Sequence, residues 1–216
     1  MKLHLGCGQR YLQGYRNIDF PLSEHSVQQT SVADQFANLL ELKYQASTIQ
    51  EVRLHHVFEH FTKAQACALL ASWNSWLNID GVIHIEVPDF EETARAVLDG
   101  IAGNQAQSVG LRHIFGSQEA HWAIHYEGYT AKRLSKLLEL YGYQVRKVNQ
   151  VRYLDTYNLE VIARKARTLS RNECRNAALE YLMGFMVADV ESERTLLGIW
   201  INDYDAQINR SFGSIG

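Results

Sequence analysis

The chain of 216 residues is 46% hydrophobic and 21% charged, the balance of an ordinary soluble domain with room for a small appendage. Its formal net charge of -3, without a local cluster of lysine and arginine, argues against a nucleic-acid-binding surface. Three widely spaced cysteines argue against a disulfide scaffold, and the apolar runs are too short to span a bilayer. We therefore expect a cytoplasmic protein without a leader sequence.

Strand-like and helix-like segments alternate along the first part of the chain, which is typical of an α/β fold with a mostly parallel sheet. Thr62 and Gln65 form a capping-box pattern, so a helix is predicted from there to about residue 77. The Asn-Ile-Asp-Gly sequence at 78–81 predicts a turn. Strands are predicted at 2–5, 16–20, 31–33, 50–58 and 82–87.

The segment 89–128 is less regular, and we expect a long connection there that carries functional residues. Thr130 then caps a predicted helix over 131–141, and Gly142 stands where a left-handed residue commonly ends a helix. The predicted fold is α/β, a doubly wound, mostly parallel, seven-stranded sheet with a C-terminal helical extension. Its last two strands, predicted as a closing pair, are 143–148 and 158–163.

The C-terminal segment 166–216 is predicted to be a helical extension of the domain formed by residues 1–165. Ser170 and Glu173 form a second capping-box pattern, and apolar residues at spacings of three and four follow up to residue 212. Glu193 interrupts this apolar seam. Either docking on the parent domain or a homo-oligomer interface over 170–212 would explain the seam. The pattern fits one long helix or two shorter ones.

A glycine-rich turn follows the first predicted strand. Gly6 and Gly8 permit positive φ and close approach of a ligand to the backbone, and Asp19 at the end of the second strand can accept hydrogen bonds from ribose hydroxyls. The interval from Gly8 to Asp19 is too short for the helix of a dinucleotide fingerprint, and a third glycine is missing at the expected place. The pattern disfavours NAD and FAD.

Six segments in the right order resemble the class I S-adenosylmethionine (SAM)-dependent methyltransferases, a Rossmann-like family, in the group that abbreviates its first helix. The resemblance covers about residues 2–165, and its one departure is Asp80-Gly81 where two glycines are common. It implies SAM as cofactor and a small-molecule or glycan acceptor. The segments are 3–8 (LHLGCG), 14–19 (GYRNID), 56–61 (HVFEHF), 76–81 (WLNIDG), 83–89 (IHIEVPD) and 125–130 (HYEGYT).

The resemblance also implies roles for single residues. The turn Gly6-Cys7-Gly8 would let the methionine moiety lie against the backbone, and Asp19 would hold the ribose. Asp34, expected after the third strand, would lie by the adenine unless it caps the stretch that follows. His56, at the end of the fourth strand, would flank the methionine moiety.

Histidine is the natural general base for a hydroxyl acceptor because its pKa lies near neutral. We expect His125 to be the first candidate for the catalytic base and His60 the second; each is otherwise a structural hydrogen-bonding group. His113, His121 and His125 are expected to line a polar acceptor pocket. Tyr11, Trp122 and Tyr126 are the aromatic side chains available beside the sulfonium.

No metal site is expected. His55 and His56 would point to opposite faces of a regular strand, so they would not share an ion. His121 and His125 are four residues apart, which suits zinc only on a helix and with a third ligand.

The proteins with this pattern often resemble enzymes of surface-polysaccharide and natural-product pathways, which implies a sugar or glycan hydroxyl as acceptor. Two other classes of function stay open. One is a non-catalytic partner subunit that assembles with another biosynthetic enzyme through its C-terminal helix, which the intact Gly6, Gly8 and Asp19 disfavour. The other is a nucleotide-dependent oxidoreductase, which the short interval before Asp19 disfavours.

Overall fold

The computed structural model describes residues 1–25, 27–99, 103–154 and 156–212. Its centre is one seven-stranded sheet in the order β3-β2-β1-β4-β5-β7-β6. The first five strands run parallel to one another, whereas β7 runs antiparallel to both β5 and β6, so the predicted closing pair is confirmed. The strands are β1 (Lys2–Leu5), β2 (Arg16–Asp19), β3 (Gln35–Phe36), β4 (Ile49–His55), β5 (Leu77–Pro88), β6 (Tyr143–Tyr153) and β7 (Thr156–Lys165).

Six α-helices accompany the sheet within the described residues, and three of the caps predicted for them are confirmed. The side chains of Thr62 and Ser170 each form a complete capping box, and Thr130 accepts a hydrogen bond from Arg133 N. The helices are α1 (Lys63–Trp76), α2 (Phe90–Leu98), α3 (Asn104–Phe115), α4 (Ala131–Leu140), α5 (Arg171–Met183) and α6 (Glu191–Phe212). None of these described helices is long and apolar enough to cross a bilayer.

The core lies on one face of the sheet, where strand pairing aligns apolar side chains in rows. Strand side chains alternate between faces, so residues two apart share the buried side while the intervening His4, Arg53 and His84 lie on the other. Each core side chain in these rows is fully buried, which contributes roughly 1.5–3 kcal/mol for a large aliphatic residue. The two rows are Leu3, Val52, Ile83 and Ala163, and then Leu5, Leu54, Ile85 and Val161.

The C-terminal extension forms two helices rather than one, with a break over 184–190. Helix α6 packs against α1, and the buried side chains of Leu182, Tyr204 and Ile208 belong to the same hydrophobic core as the sheet. The extension therefore docks on the parent domain, which was one of the two explanations for its apolar seam. Its last residues, 213–216, lie outside the described part of the chain.

Three local predictions were wrong. The segment 89–128 contains α2 and α3, and the irregular connection begins after Phe115. The third strand lies at Gln35–Phe36 rather than 31–33. The expected turn at 78–81 is a bulged part of β5: the pairing with β4 shifts there, and Asp80 has a φ of 64°.

Candidate active site

A cavity of about 1270 Å³ opens at the carboxyl ends of the parallel strands. The strand order reverses between β1 and β4, and ligands of doubly wound folds bind at this kind of switch point. The cavity is lined by the segments that follow β1, β2, β3 and β4, together with part of the loop after α3. Among the predicted site residues it exposes Gly6, Cys7, Gly8, Asp19, His56 and His60.

The glycine-rich turn is held in a conformation that glycine adopts without strain. Gly6 and Gly8 have φ values of 66° and 54°, and Gly6 N donates to Ile18 O at 2.8 Å. A Cβ at Gly6 would lie 2.3 Å from Cγ2 of Val57, so glycine is also required there by packing. A Cβ at Gly8 would meet nothing within 4 Å, because that residue faces open space beside the cavity.

Asp19 ties this turn to the end of β2. Its Oδ2 accepts a hydrogen bond from Gly8 N at 2.8 Å, and its Oδ1 accepts one from Phe20 N at 2.8 Å. Longer contacts come from the Cys7 thiol, 4.0 Å from Oδ2, and from His25 Nε2, 3.8 Å from Oδ1. A carboxylate has about four lone-pair positions, so capacity remains for a ligand's hydroxyl groups. The carboxylate lines the cavity at a residue exposure of 6%, where a hydrogen bond to it is protected from water.

Cys7, the middle residue of the turn, is a poor nucleophile. Burial, and then the negative charge of Asp19, raise the pKa of its thiol to about 12. The thiol therefore stays protonated near neutral pH, and its place in the cavity wall is that of a small apolar side chain.

Asp34 does not follow the third strand as expected, because that strand begins one residue after it. Its carboxylate accepts hydrogen bonds from the backbone N of Asn17 at 2.8 Å and from the Asn17 side chain at 3.0 Å, which lower its pKa. The residues that follow β3 and line the cavity are instead Ala37, Asn38, Leu39 and Leu40.

His56 lies directly after β4 with a φ of 54°, and this positive φ breaks the alternation of the strand. The rings of His55 and His56 are consequently neighbours, with centroids 4.8 Å apart, and both face Glu86. The expectation that they point to opposite sides was wrong. Burial lowers the pKa of His56, but its contact with Glu59 and the charge of Glu86 raise it overall.

Glu59 is the site residue that sequence reasoning missed. It is 1% exposed, and its carboxylate is surrounded by His56, His60 and His125. Burial opposes its charge, but contact with His56, and then the neighbouring imidazoles of His60 and His125, lower its pKa overall. A signal was present in the sequence: an acidic residue inside the mostly apolar and histidine-rich segment 56–61.

The two candidate bases, His60 and His125, are in contact, and only one of them lines the cavity. His60 lines the cavity, whereas His125 contacts the His60 ring edge-on at 4.7 Å and has a side-chain exposure of 11%. Burial lowers the pKa of His125 overall. The Nδ1 of His60 lies 3.1 Å from Ile124 O, and the Nδ1 of His125 lies 3.0 Å from His113 O.

The expected acceptor pocket is only partly assembled around the cavity. His121, Trp122 and Tyr126 line it, whereas His113 packs its ring near His56 and bonds through Nε2 to Tyr157 O. Tyr11 is 54% exposed on the turn after Gly8.

Comparisons with solved structures identify the fold. The chain is similar to the 1,6-didemethyltoxoflavin-N1-methyltransferase of Burkholderia thailandensis, solved with 1,6-didemethyltoxoflavin and S-adenosylhomocysteine, at a TM-score of 0.51 and 17% identity over 77% of this chain and 71% of that one. The PH0226 protein of Pyrococcus horikoshii OT3 is similar at a TM-score of 0.50 and 14% identity, over 76% and 81% of the two chains. No protein-family model and no curated protein matches the sequence.

The fold is that of the class I SAM-dependent methyltransferases. The expected Rossmann-like, seven-stranded α/β architecture is confirmed. In this methyltransferase fold the first connection is short: residues 9–15 contain no helix, and the chain passes through Gly14, with a φ of 83°, directly into β2. That short path holds Gly8 against Asp19.

Proposed function

We propose that this protein transfers a methyl group from SAM to a hydroxyl group of a sugar, a glycan or a related small molecule. The observation that carries the proposal is the Gly6–Gly8 turn bonded to Asp19 beside a large cavity, at the switch point of a methyltransferase fold. The cavity volume exceeds that of an ordinary single-ligand pocket, which supports binding of a cofactor and an acceptor together.

The residues around the cavity fit SAM. Gly8 offers backbone without a side chain, and the free lone pairs of Asp19 would accept from the ribose hydroxyls. The apolar side chains of Ala37, Leu39 and Leu40 would flank the adenine, and His56 would lie beside the methionine moiety. When bound, SAM supplies a sulfonium-linked methyl group as the electrophile.

His60 is the best placed residue to take the acceptor's proton. A carbonyl oxygen only accepts, so the contact with Ile124 O places the proton on Nδ1 and leaves Nε2 as a basic nitrogen. His60 faces the cavity, and His125 supports its ring from behind. We therefore assign His60 the role first expected of His125, with His125 as a positioning residue.

The rest of the cavity wall supports a polar, ring-shaped acceptor. Trp122 and Tyr126 present flat aromatic surface, and Glu119 and His121 add groups that can hydrogen-bond hydroxyls. Trp122 is itself oriented by donating its ring N–H to Glu24 O at 2.7 Å.

A screen of sugars and glycan fragments tests the proposal directly. The full-length protein is incubated with SAM and each compound, and release of S-adenosylhomocysteine is compared with a reaction that lacks the acceptor. We expect acceptor-dependent release with a hydroxyl compound. Release with amines alone would refute hydroxyl transfer while leaving methyl transfer intact.

Replacing Asp19 by alanine should weaken SAM binding by about 1.5–3 kcal/mol, because hydrogen bonds to a charged group are lost. Because every 1.4 kcal/mol changes a dissociation constant tenfold, the dissociation constant for SAM should rise by roughly 10–150-fold. Asp34→Asn is the matched control, since that carboxylate bonds to Asn17, and it should have the smaller effect. Calorimetry measures both variants, and equal affinities for Asp19→Ala and the parent would refute the role of Asp19.

We also propose that the protein is a cytoplasmic homo-oligomer. Its three cysteines are free and buried, which suits a reducing compartment. At the end of α5, in the break and along α6, Met183, Val187 and Ile199 are 51%, 90% and 52% exposed, so apolar surface is available for an interface between chains.

Light scattering of the full-length protein at micromolar concentration should give a mass above that of one chain. Val187→Asp should shift it toward the monomer without unfolding it, because that side chain is 90% exposed. A monomer mass for the unsubstituted protein ends this part of the proposal.

A further inference from the structure

The geometry points to a binding site for one divalent transition-metal ion, formed by the Glu59 carboxylate and the Nε2 atoms of His60 and His125. The three groups offer ligand atoms that all lie within 4.8 Å of one another. Two imidazoles and one carboxylate are a common ligand set for zinc and for iron(II). This inference departs from the sequence-based expectation that the protein has no metal site.

The buried carboxylate of Glu59 is the first observation. Both of its oxygens are inaccessible, and among the described residues neither has a hydrogen-bond partner of good geometry. The nearest cationic group is Nδ1 of His56, 3.4 Å from Oε1. A buried carboxylate is costly unless it is paired or coordinates a metal, and this one is aimed at two further imidazoles.

The orientation of those two imidazoles is the second, independent observation. Each ring gives its Nδ1–H to a main-chain carbonyl, His60 to Ile124 and His125 to His113. Each Nε2 is then unprotonated and able to act as a ligand, and that of His125 lies 4.0 Å from Glu59 Oε1. Metal-bound histidines are typically oriented by such a hydrogen bond at the opposite ring nitrogen.

The ligand atoms of Glu59, His60 and His125 need to move only a little closer together to bind an ion. Bonds of about 2.0–2.2 Å in a tetrahedral zinc site put ligand atoms roughly 3.3–3.6 Å apart. The three ligand atoms now lie within 4.8 Å of one another, and rotations of the His60 and Glu59 side chains would bring them to the spacing of a zinc site. Because His60 lines the cavity, the fourth position would face the proposed acceptor.

A second group, His55, His56 and Glu86, has similar spacing but a different environment. Nε2 of His55 lies 3.1 Å from Glu86 Oε1, closer than the 3.4 Å between His56 Nδ1 and Glu59 Oε1, and Glu86 is less deeply buried than Glu59. Its residues therefore provide the internal control for the Glu59 site.

Metal binding would change how the acceptor is activated, a consequence that rests on the proposed function. A bound divalent ion acts as a Lewis acid and lowers the pKa of a coordinated hydroxyl, in place of a free imidazole at His60. Binding of the ion itself does not depend on SAM or on the acceptor.

The test uses the full-length protein after dialysis against a chelator, without SAM. ZnCl₂ is titrated by calorimetry and CoCl₂ by visible absorption, and we expect one ion per chain. Changing a residue that only hydrogen-bonds to a metal ligand typically weakens binding by roughly 10–100-fold. Loss of a ligand itself should have at least this effect, so we expect it for both Glu59→Gln and His60→Gln. His55→Gln should bind as the parent does.

Circular dichroism establishes that each variant is folded, and the half-exposed His60 provides the variant least disruptive to packing. Absence of zinc binding and of a cobalt band in the unsubstituted protein would overturn the inference. It would also be overturned if His55→Gln abolished binding while Glu59→Gln and His60→Gln did not. Either result leaves the affinity for SAM, and so the proposed function, unaffected.

Discussion

His60→Ala is expected to lower turnover by about 10²–10⁴-fold, the usual contribution of general acid–base catalysis, while SAM still binds. The physical reason is that His60 lines the cavity, while Ile124 O holds the proton on Nδ1 and leaves Nε2 free to accept one. Release of S-adenosylhomocysteine with the acceptor from the screen measures turnover, and calorimetry measures SAM affinity separately.

The matched control is His84→Ala. His84 lies on β5 and bonds through Nε2 to Glu160 at 2.7 Å, on the sheet face opposite the core rows. Turnover of the His84→Ala variant should stay within about threefold of the parent, a change much smaller than the loss expected when a catalytic base is removed. If His60→Ala behaves in the same way while His125→Ala loses activity, the roles of His60 and His125 are reversed; if neither variant loses activity, the base assignment fails.

Gly6→Ala should reduce the free energy of unfolding by about 2–5 kcal/mol. A left-handed backbone costs a non-glycine residue roughly 1–2 kcal/mol, and overpacking adds about 1–3 kcal/mol. The overpacking follows from the 2.3 Å approach of the added Cβ to Val57 Cγ2. Equilibrium unfolding in urea measures the change.

Gly14→Ala separates the two contributions. Gly14 also has a positive φ, 83°, but an added Cβ there would meet nothing within 4 Å. It should therefore show only the backbone cost, and the double variant Gly6→Ala/Val57→Ala should recover part of the loss relative to Gly6→Ala. Equal destabilisation in Gly6→Ala and Gly14→Ala would show that the contact with Val57 does not constrain the turn.

Local chemistry explains which elements could be predicted from the sequence. The caps at Thr62, Thr130 and Ser170 and the left-handed Gly142, with a φ of 76°, depend on residues within one helical turn. The pairing of the last two strands also followed from local patterns. By contrast, β3 has only two residues, too few for a hydrophobic period to identify.

The site was only partly predictable because its assembly depends on distant segments. The Gly6–Gly8 turn and Asp19 are neighbours in sequence and were found. The cluster at Glu59 forms because the loop after α3 packs back on it, with Tyr126 N donating to Glu59 O at 2.9 Å. The positive φ of His56 likewise cannot be read from a strand-like pattern, because left-handed histidine is uncommon.

Calorimetric titration of the full-length protein with SAM, S-adenosylhomocysteine and NAD determines which cofactor the Gly6–Gly8 turn and Asp19 bind. We expect SAM and S-adenosylhomocysteine each to bind once per chain. We expect NAD not to bind, because the short path from Gly8 to Asp19 has no helix N-terminus for a pyrophosphate. Binding of NAD without binding of SAM or S-adenosylhomocysteine would contradict this expectation.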